Sequence, residues 1–268
     1  MTPSRLSRAE FVWFRDFLKT RTGIVLNDSK EQLVVGRLDK RLRALGLDSF
    51  GEYFSRLGLP EHEVETELAM DLLTTNETYF FREPKHFEFL RTTVLPELPV
   101  HRPLRAWSAA SSSGEEAYTL AMSFSEHFRG EFEIVGTDIS TRMVEKASRG
   151  LYPIQAMEKI PLELLKRHCL RGTEEYDGLL MMSPALCSKL RFLRANLLQP
   201  LPDIGLFDLI FLRNVMIYFD KADKEKLVAR AIKHLRPGGY FFVSHSETLS
   251  GFQGALKLVR PSIYRLPP

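Results

Sequence analysis

The sequence predicts an α/β fold in two parts: an all-helical N-terminal domain, then a Rossmann-like doubly wound domain with a small antiparallel β-subdomain inserted. Three observations predict it. No strand-like alternation occurs before Leu104. After Leu104, strand-length apolar runs alternate with helix-length amphipathic segments, the pattern of a parallel sheet covered by helices. Pro84, Pro96, Pro99 and Pro103 cluster where one pattern gives way to the other. The expected boundaries are 1–75 for the helical domain, 76–103 for a linker and 104–268 for the α/β domain, with the insertion at about 169–189.

In the first part, Phe11, Phe14 and Leu18 recur at helical spacing and Gly23 follows as a stop. Asp28 is the expected cap of a second helix that runs to about Leu45 and ends at Gly46. Ser49 opens a short third helix. A fourth, from Glu61 to Leu73, is expected to bury Val64, Leu68 and Leu72. In the second part, Leu104–Ser108, Phe132–Asp138, Leu190–Leu193, Phe207–Leu212 and Tyr240–Ser244 read as strands. Helices are expected from about Gly114 to Phe128, Ser140 to Arg149 and Asp223 to Leu235, with Pro237-Gly238-Gly239 as a turn. Turn signals at Gly172, Asp177-Gly178 and Ser183-Pro184 frame the small insertion. The Phe80-Phe81 to Phe87-Phe89 run is expected to pack between the two domains.

At 268 residues, 44% apolar and 26% charged, the composition is that of a globular protein, and a net charge of +3 gives no global reason to bind nucleic acid. No apolar run reaches the ~18 residues of a membrane span, and the N-terminus lacks the apolar core of a signal peptide. The two cysteines, Cys169 and Cys187, imply no disulfide framework, and neither they nor the seven histidines show metal-ligand spacing. These features predict a cytoplasmic protein without a metal. His245, in a Ser-His-Ser stretch, lacks the Gly-x-Ser-x-Gly elbow of a hydrolase and is expected to play a supporting polar role.

The chemistry concentrates in Trp107 to Tyr118, the first strand-turn-helix of the α/β part. Ligands of open α/β sheets sit beyond the carboxyl ends of the strands. A phosphate-binding turn there carries two or three glycines and no acid, because a helix N-terminus attracts anions. This turn has Gly114 alone and then Glu115-Glu116. The pair would repel a pyrophosphate and receive an ammonium group; alternatively it only complements the helix dipole. Asp138 ends the next strand, where an acid can accept hydrogen bonds from ribose hydroxyls or cap the helix that begins at Ser140. Together they point to an adenosine ligand without pyrophosphate, which suits S-adenosylmethionine better than a nicotinamide dinucleotide.

Four segments carry a family resemblance. They are Thr74 to Glu83 (TTNETYFFRE), Trp107 to Tyr118, Phe207 to Asp220 (FDLIFLRNVMIYFD), and Gly238-Gly239 followed by Ser244-His245-Ser246-Glu247. In this order, over nearly the whole chain, they resemble the CheR-type chemotaxis receptor methyltransferases. The resemblance implies an S-adenosylmethionine-dependent protein-glutamate O-methyltransferase, with S-adenosylhomocysteine as product and chemoreceptor cytoplasmic domains as partners. It implies cofactor contacts at Asn76, Thr78, Arg82, Glu116, Asp138, Asn196, Leu197, Arg213 and Asn214. The chain departs from the family at Ser111, where Cys or Ala is more usual, and at Ala117, where Pro is.

A glutamate acceptor is already ionised at neutral pH, so transfer needs positioning and exclusion of water rather than a general base. Arg82 and Tyr218 are the expected orienting residues, with helix capping or packing as the alternative for Tyr218. On the second helix, Lys30, Arg37, Lys40 and Arg41 fall in one sector about 100° wide, beside the apolar face of Val34, Leu38, Leu42 and Leu45. That basic sector is the expected receptor-binding surface, unless it is only a solvated face. Some family members also capture a receptor C-terminal peptide at the β-subdomain. A monomer is expected, with no nucleic acid and no membrane insertion. The competing readings are a nicotinamide-dependent oxidoreductase, a methyltransferase for a small molecule or nucleic acid, and an inert adaptor.

Overall fold

The computed structural model describes residues 5–252 and 254–268; the first four residues of the N-terminal stretch read above lie outside them. The chain divides into two compact units, residues 1–75 with 218–223, and residues 76–217 with 224–268.

The helical unit holds α1 (Arg8–Thr22), α2 (Glu31–Ala44), α3 (Phe50–Arg56) and α4 (Glu63–Leu73). Ser7 and Glu10 form a reciprocal capping box at the start of α1, and Gly23 ends it at φ 78°. Phe11, Phe14, Leu18, Val34, Leu38, Leu42, Phe50, Tyr53 and Phe54 build the core. Two sequence expectations fail here. Asp28 does not cap α2: it lies in a 3-10 turn and pairs with Arg8 at 2.7 Å. On α4 the buried residues are Thr66, Ala69, Met70 and Leu73, and Val64 is 85% exposed. Val64, Leu68 and Leu72 do share a helical face at four-residue spacing, but that spacing alone does not fix which face meets the core.

The basic sector of α2 also departs from expectation. Arg37 donates to the carbonyls of Leu72 and Thr74 at 2.7 and 2.9 Å. Arg41 grips Glu65 through Nε and Nη2 at 3.0 and 2.6 Å, and the Tyr53 hydroxyl completes that group. Both guanidinium groups are therefore occupied in fixing α4 to α2, and Glu65 neutralises one of them. Lys30 and Lys40 are exposed. Leu45, assigned to the apolar face, is 39% exposed at the C-cap.

The second unit opens with α5 (Pro84–Phe89), which continues through a π-turn into the short α6 (Leu95–Glu97). Its sheet is built from β1 (Leu104–Ala109), β2 (Phe132–Asp138), β6 (Leu190–Arg194), β7 (Phe207–Leu212), β8 (Leu235–Phe242), β9 (Lys257–Arg260) and β10 (Ile263–Arg265). The order is β6-β2-β1-β7-β8-β10-β9, parallel as far as β8 and antiparallel beyond. The strands β1 and β7 and the second half of β8 are buried along nearly every residue, as strands covered on both faces are. The helices α7 (Glu115–His127), α8 (Thr141–Arg149) and α11 (Lys221–Ile232) connect them. β3 (Leu151–Pro153), β4 (Cys169–Arg171) and β5 (Leu179–Met182) form the separate antiparallel sheet, order β3-β5-β4, with α9 (Leu162–His168) and α10 (Pro184–Cys187) around it. Its third strand thus comes from outside residues 169–189.

Two further expectations are corrected. Pro237-Gly238-Gly239 is not a turn but lies inside β8, where the pairing with β7 shifts register between Phe207 and Leu209. Proline and glycine in a strand mark such irregularities. Phe80, Phe87 and Phe89 belong to the α/β unit's own core. The β9–β10 hairpin was not foreseen, because its strands are short and β9 is exposed throughout. Among the described residues, no helix is long and apolar enough to cross a membrane.

Candidate active site

β1 pairs with β2 on one side and β7 on the other, so the chain reverses its direction of winding at β1. The carboxyl ends of these strands flank the place where open α/β sheets receive ligands. The turn from β1 to α7 is tight: Ala110, Ser112 and Gly114 have φ of 66°, 49° and 96°. Gly114 also admits no side chain, since a Cβ there would stand 2.9 Å from the Ala147 Cβ and 3.0 Å from the Tyr152 hydroxyl.

The two adjacent acids of this turn do different work. Glu115 is buried and accepts from the Ser113 hydroxyl with both oxygens, at 2.9 and 2.7 Å. Burial pushes its carboxyl above the ordinary value, and the Ser113 bond offsets only part of that. A carboxyl raised in this way favours folding while protonated and loses that contribution as pH rises through its folded pKa. Glu115→Gln, neutral throughout, is therefore expected to match the wild type near pH 4 and to melt at a higher temperature than it at pH 8. Thermal melts at both pH values check this, and a difference independent of pH would count against it.

Glu116 accepts from the Ser108 hydroxyl at 2.6 Å and from Arg213 at 2.8 Å. Burial raises its carboxyl, against the pull of Arg213. Arg213, just past β7, has a side chain only 2% exposed and links three groups: Glu116, the Arg82 carbonyl at 2.6 Å and Glu83 at 3.0 Å. Burial alone would raise Glu83, but Arg213 together with His86 and His245 brings it below the ordinary carboxylate range. The Asn214 amide reaches Glu83 at 3.5 Å. Thus Glu116, the Arg213-Asn214 pair and the main chain of Arg82, from three separate stretches of the sequence, converge.

A second group forms around Asp138. Its carboxylate accepts from the Ser112 and Ser140 backbone amides at 2.8 and 3.0 Å, so it holds the β1–α7 turn and the residue that opens α8, while the cap of α8 itself is Ser140, whose hydroxyl accepts from the Met143 amide. The Ser112 hydroxyl donates to the Asn76 carbonyl at 3.1 Å, which brings Asn76 to this group. Asn196 and Leu197 follow β6; the Ala195 amide donates to the Asp138 carbonyl at 2.8 Å, the Asn196 side chain accepts from the Leu198 amide, and the Leu197 carbonyl accepts from Arg230. Asp138 and Arg213 end the strands on either side of β1, roughly 10 Å apart at two strand spacings.

Thr78 is half-buried in the segment that precedes α5. There the Arg82 side chain turns back to the Glu77 carbonyl at 2.7 Å, over the Tyr79 ring. Phe81 and Glu83 are held at φ 57° and 60°, and the Phe81 amide donates to the Thr119 hydroxyl. Tyr218 groups with the helical unit, where its carbonyl accepts from the Val25 amide at 2.9 Å. Arg37, Lys40 and Arg41 lie on α2, whereas Lys30, expected on the same helix, ends the 3-10 turn before it and stands at its N-cap.

Two residues of this region, Glu83 and His86, had no role assigned from sequence. Glu83, His86 and His245 bring possible metal-ligand atoms within 4.8 Å of one another. Spacing along the chain could not disclose this, since β8 separates His245 from the other two. Hydrogen bonding accounts for much of the group: His86 Nε2 and His245 Nδ1 meet the Ser262 hydroxyl at 2.7 and 3.1 Å. Burial and the nearby Arg213 push His86 down to about 3, so its imidazole is neutral. His245 thus has the supporting polar role expected of it. Ser111, one of the two departures from the family pattern, has a buried hydroxyl that meets no hydrogen-bond partner among the described residues.

With this geometry in view, comparison with known proteins gives a consistent answer. Residues 76–264 match the family described as CheR methyltransferase, SAM binding domain, and residues 9–74 match the CheR methyltransferase all-alpha domain. The chain belongs to the CheR methyltransferase family. It is 42% identical to chemotaxis protein methyltransferase 2 of Pseudomonas aeruginosa over 96% of this chain and 93% of that protein. It is 38% identical to the chemotaxis protein methyltransferase of Salmonella typhimurium over 97% and 91%. The α/β unit is therefore an S-adenosylmethionine-binding domain. Its residues fit that cofactor: the acidic start of α7 is hostile to pyrophosphate, and two carboxylates, Glu83 and Glu116, bond the guanidinium of Arg213. Such a rim suits a ligand carrying ammonium and sulfonium charges.

Proposed function

We propose that this chain transfers the methyl group of S-adenosylmethionine to glutamate side chains of chemoreceptors, forming methyl esters that adapt the sensory response, and that it works as a cytoplasmic monomer. The observation that carries the reading is the acidic, pyrophosphate-excluding rim at the carboxyl ends of β1, β2 and β7, in a chain matched along nearly its whole length by chemotaxis methyltransferases. Asp138 holds the ribose hydroxyls. Glu116, Arg213 and Asn214, with Asn76, Thr78, Arg82, Asn196 and Leu197, surround the rest of the cofactor.

The bound cofactor supplies an electrophilic methyl group on a sulfonium. The acceptor carboxylate is ionised already, so the protein's task is orientation. Arg82 carries a planar guanidinium that stays charged and can hold a carboxylate without giving up a proton. Tyr218 is proposed for the same task through its hydroxyl. The test is transfer of labelled methyl groups to receptor-containing membranes. The expected product is a base-labile ester on the receptor; labelling of nucleic acid or small molecules instead, or reduction of a nicotinamide cofactor, would refute the proposal.

Receptor recognition is proposed to use Lys30 and Lys40 as the accessible charges of the α2 sector. Arg37 and Arg41 contribute through the shape of the helix pair, since reversing Arg41 would leave Glu65 beside a second carboxylate. Lys30→Glu with Lys40→Glu is expected to lower kcat/KM for receptor about tenfold at low salt, to flatten its salt dependence, and to leave S-adenosylhomocysteine affinity unchanged. Equal rates and equal salt dependence would return these lysines to a solvated face. The small sheet has β4 at one edge with Leu170 half exposed. A receptor C-terminal peptide is proposed to add there as a further strand, raising local concentration. Receptors truncated at the C-terminus should then be methylated more slowly, and calorimetry with their terminal peptides should register binding; absence of both refutes the tether.

A further inference from the structure

The loop after β7 carries Arg213 and Asn214, and its backbone is unusual. Asn214 sits at φ 58°, in the left-handed region that costs a side-chain-bearing residue energy, although asparagine tolerates it better than most. A single buried carboxylate holds that conformation. Glu247 Oε2 accepts from the Asn214 amide at 3.0 Å and from the Ser244 amide at 3.0 Å, and Oε1 accepts from the Met216 amide at 2.8 Å. The Glu247 amide in turn donates to the Ser244 carbonyl at 3.0 Å. Two loops, one following β7 and one following β8, are thus joined at the ligand end of the sheet by one negative charge and three main-chain donors.

We infer that Glu247 is a positioning residue of the cofactor site, whose buried carboxylate fixes the turn that presents Arg213 and Asn214. Charge-assisted bonds of this kind are about twice as strong as neutral ones, and glutamine cannot replace them. Its single oxygen could serve the Asn214 and Ser244 amides, but its NH2 would then face the Met216 N–H donor to donor. Aspartate keeps the charge and falls one methylene short. The inference deepens the proposed methyl transfer, and it is tested on cofactor affinity, which needs no acceptor.

The experiment is calorimetric titration of S-adenosylhomocysteine into the full chain and its Glu247→Gln and Glu247→Asp variants, well below their melting temperatures. The expected result is a Kd about 10–100-fold weaker for Glu247→Gln, the loss corresponding to one charge-assisted interaction, with Glu247→Asp between it and the wild type. A role confined to stability would lower Tm and leave the Kd of the folded fraction unchanged, and a Kd within twofold of wild type in both variants overturns the inference. If Glu247→Gln does not fold, the Glu247→Asp titration decides alone: severalfold weakening supports the inference and an unchanged Kd overturns it. Wild-type protein that binds S-adenosylhomocysteine normally but never methylates receptor membranes would refute the proposed acceptor, while the Glu247 comparison keeps its meaning.

Discussion

Arg213→Met is expected to destabilise the α/β unit by about 3–5 kcal/mol and to abolish measurable S-adenosylhomocysteine binding. Removing one partner of a buried ionic group leaves the others as uncompensated buried charge, and that penalty is of this size. Arg213 answers to Glu116, Glu83 and the Arg82 carbonyl together, so its loss strands two carboxylates and a carbonyl. The pH dependence has a definite sign. Glu83 lies below its ordinary value in the folded protein, so it contributes stability above the carboxylate range and loses it as pH falls through the folded value. The variant lacks that contribution, and its deficit against wild type should be smaller at pH 4 than at pH 7. Arg213→Lys should recover part of the stability, since an ammonium keeps the charge but cannot span three acceptors in one plane. Urea unfolding of the α/β unit checks these values, and a loss under ~1 kcal/mol at pH 7 would mean that the rim does not depend on Arg213.

Asp138→Ala should weaken S-adenosylmethionine and S-adenosylhomocysteine alike, by about 10–100-fold for each charge-assisted bond to the ribose they share. It should also lower the melting temperature, because the Ser112 and Ser140 amides lose their acceptor. Asp138→Asn retains one acceptor oxygen and should fall between. Titration of both ligands separates binding from stability. Unchanged affinity for both would remove Asp138 from the site and leave it as a tie between the β1–α7 turn and the start of α8.

Much of the site was legible in sequence because the relevant signals are local. An acid at the end of a strand and a turn with one glycine followed by two acids can be read without knowing what lies opposite, whereas Arg213 and Asn214 entered only through the family resemblance. Glu247 could not be read in this way. Its neighbours Ser244, His245 and Ser246 marked the stretch as part of a pattern, but nothing in the spacing says that its carboxylate reaches the amides of residues 214 and 216. Glu115 and Glu116 look equivalent in sequence, and only the fold sends one to Ser113 and the other to Arg213.

The sequence alone determined the division into a helical and an α/β part, the five parallel strands and most of the helix stops. Periodicity, capping residues and left-handed glycines act over a few residues and are written in their own neighbourhood. Only the tertiary structure decided which face of α4 is buried, that β8 runs through Pro237-Gly238-Gly239, that a β9–β10 hairpin closes the sheet edge, and that Arg37 and Arg41 bind α4. The physical reason is the same in each case. A long charged side chain or a marginal strand has several partners it could satisfy, and the one it takes depends on what the rest of the chain brings within about 3 Å of its hydrogen-bonding groups.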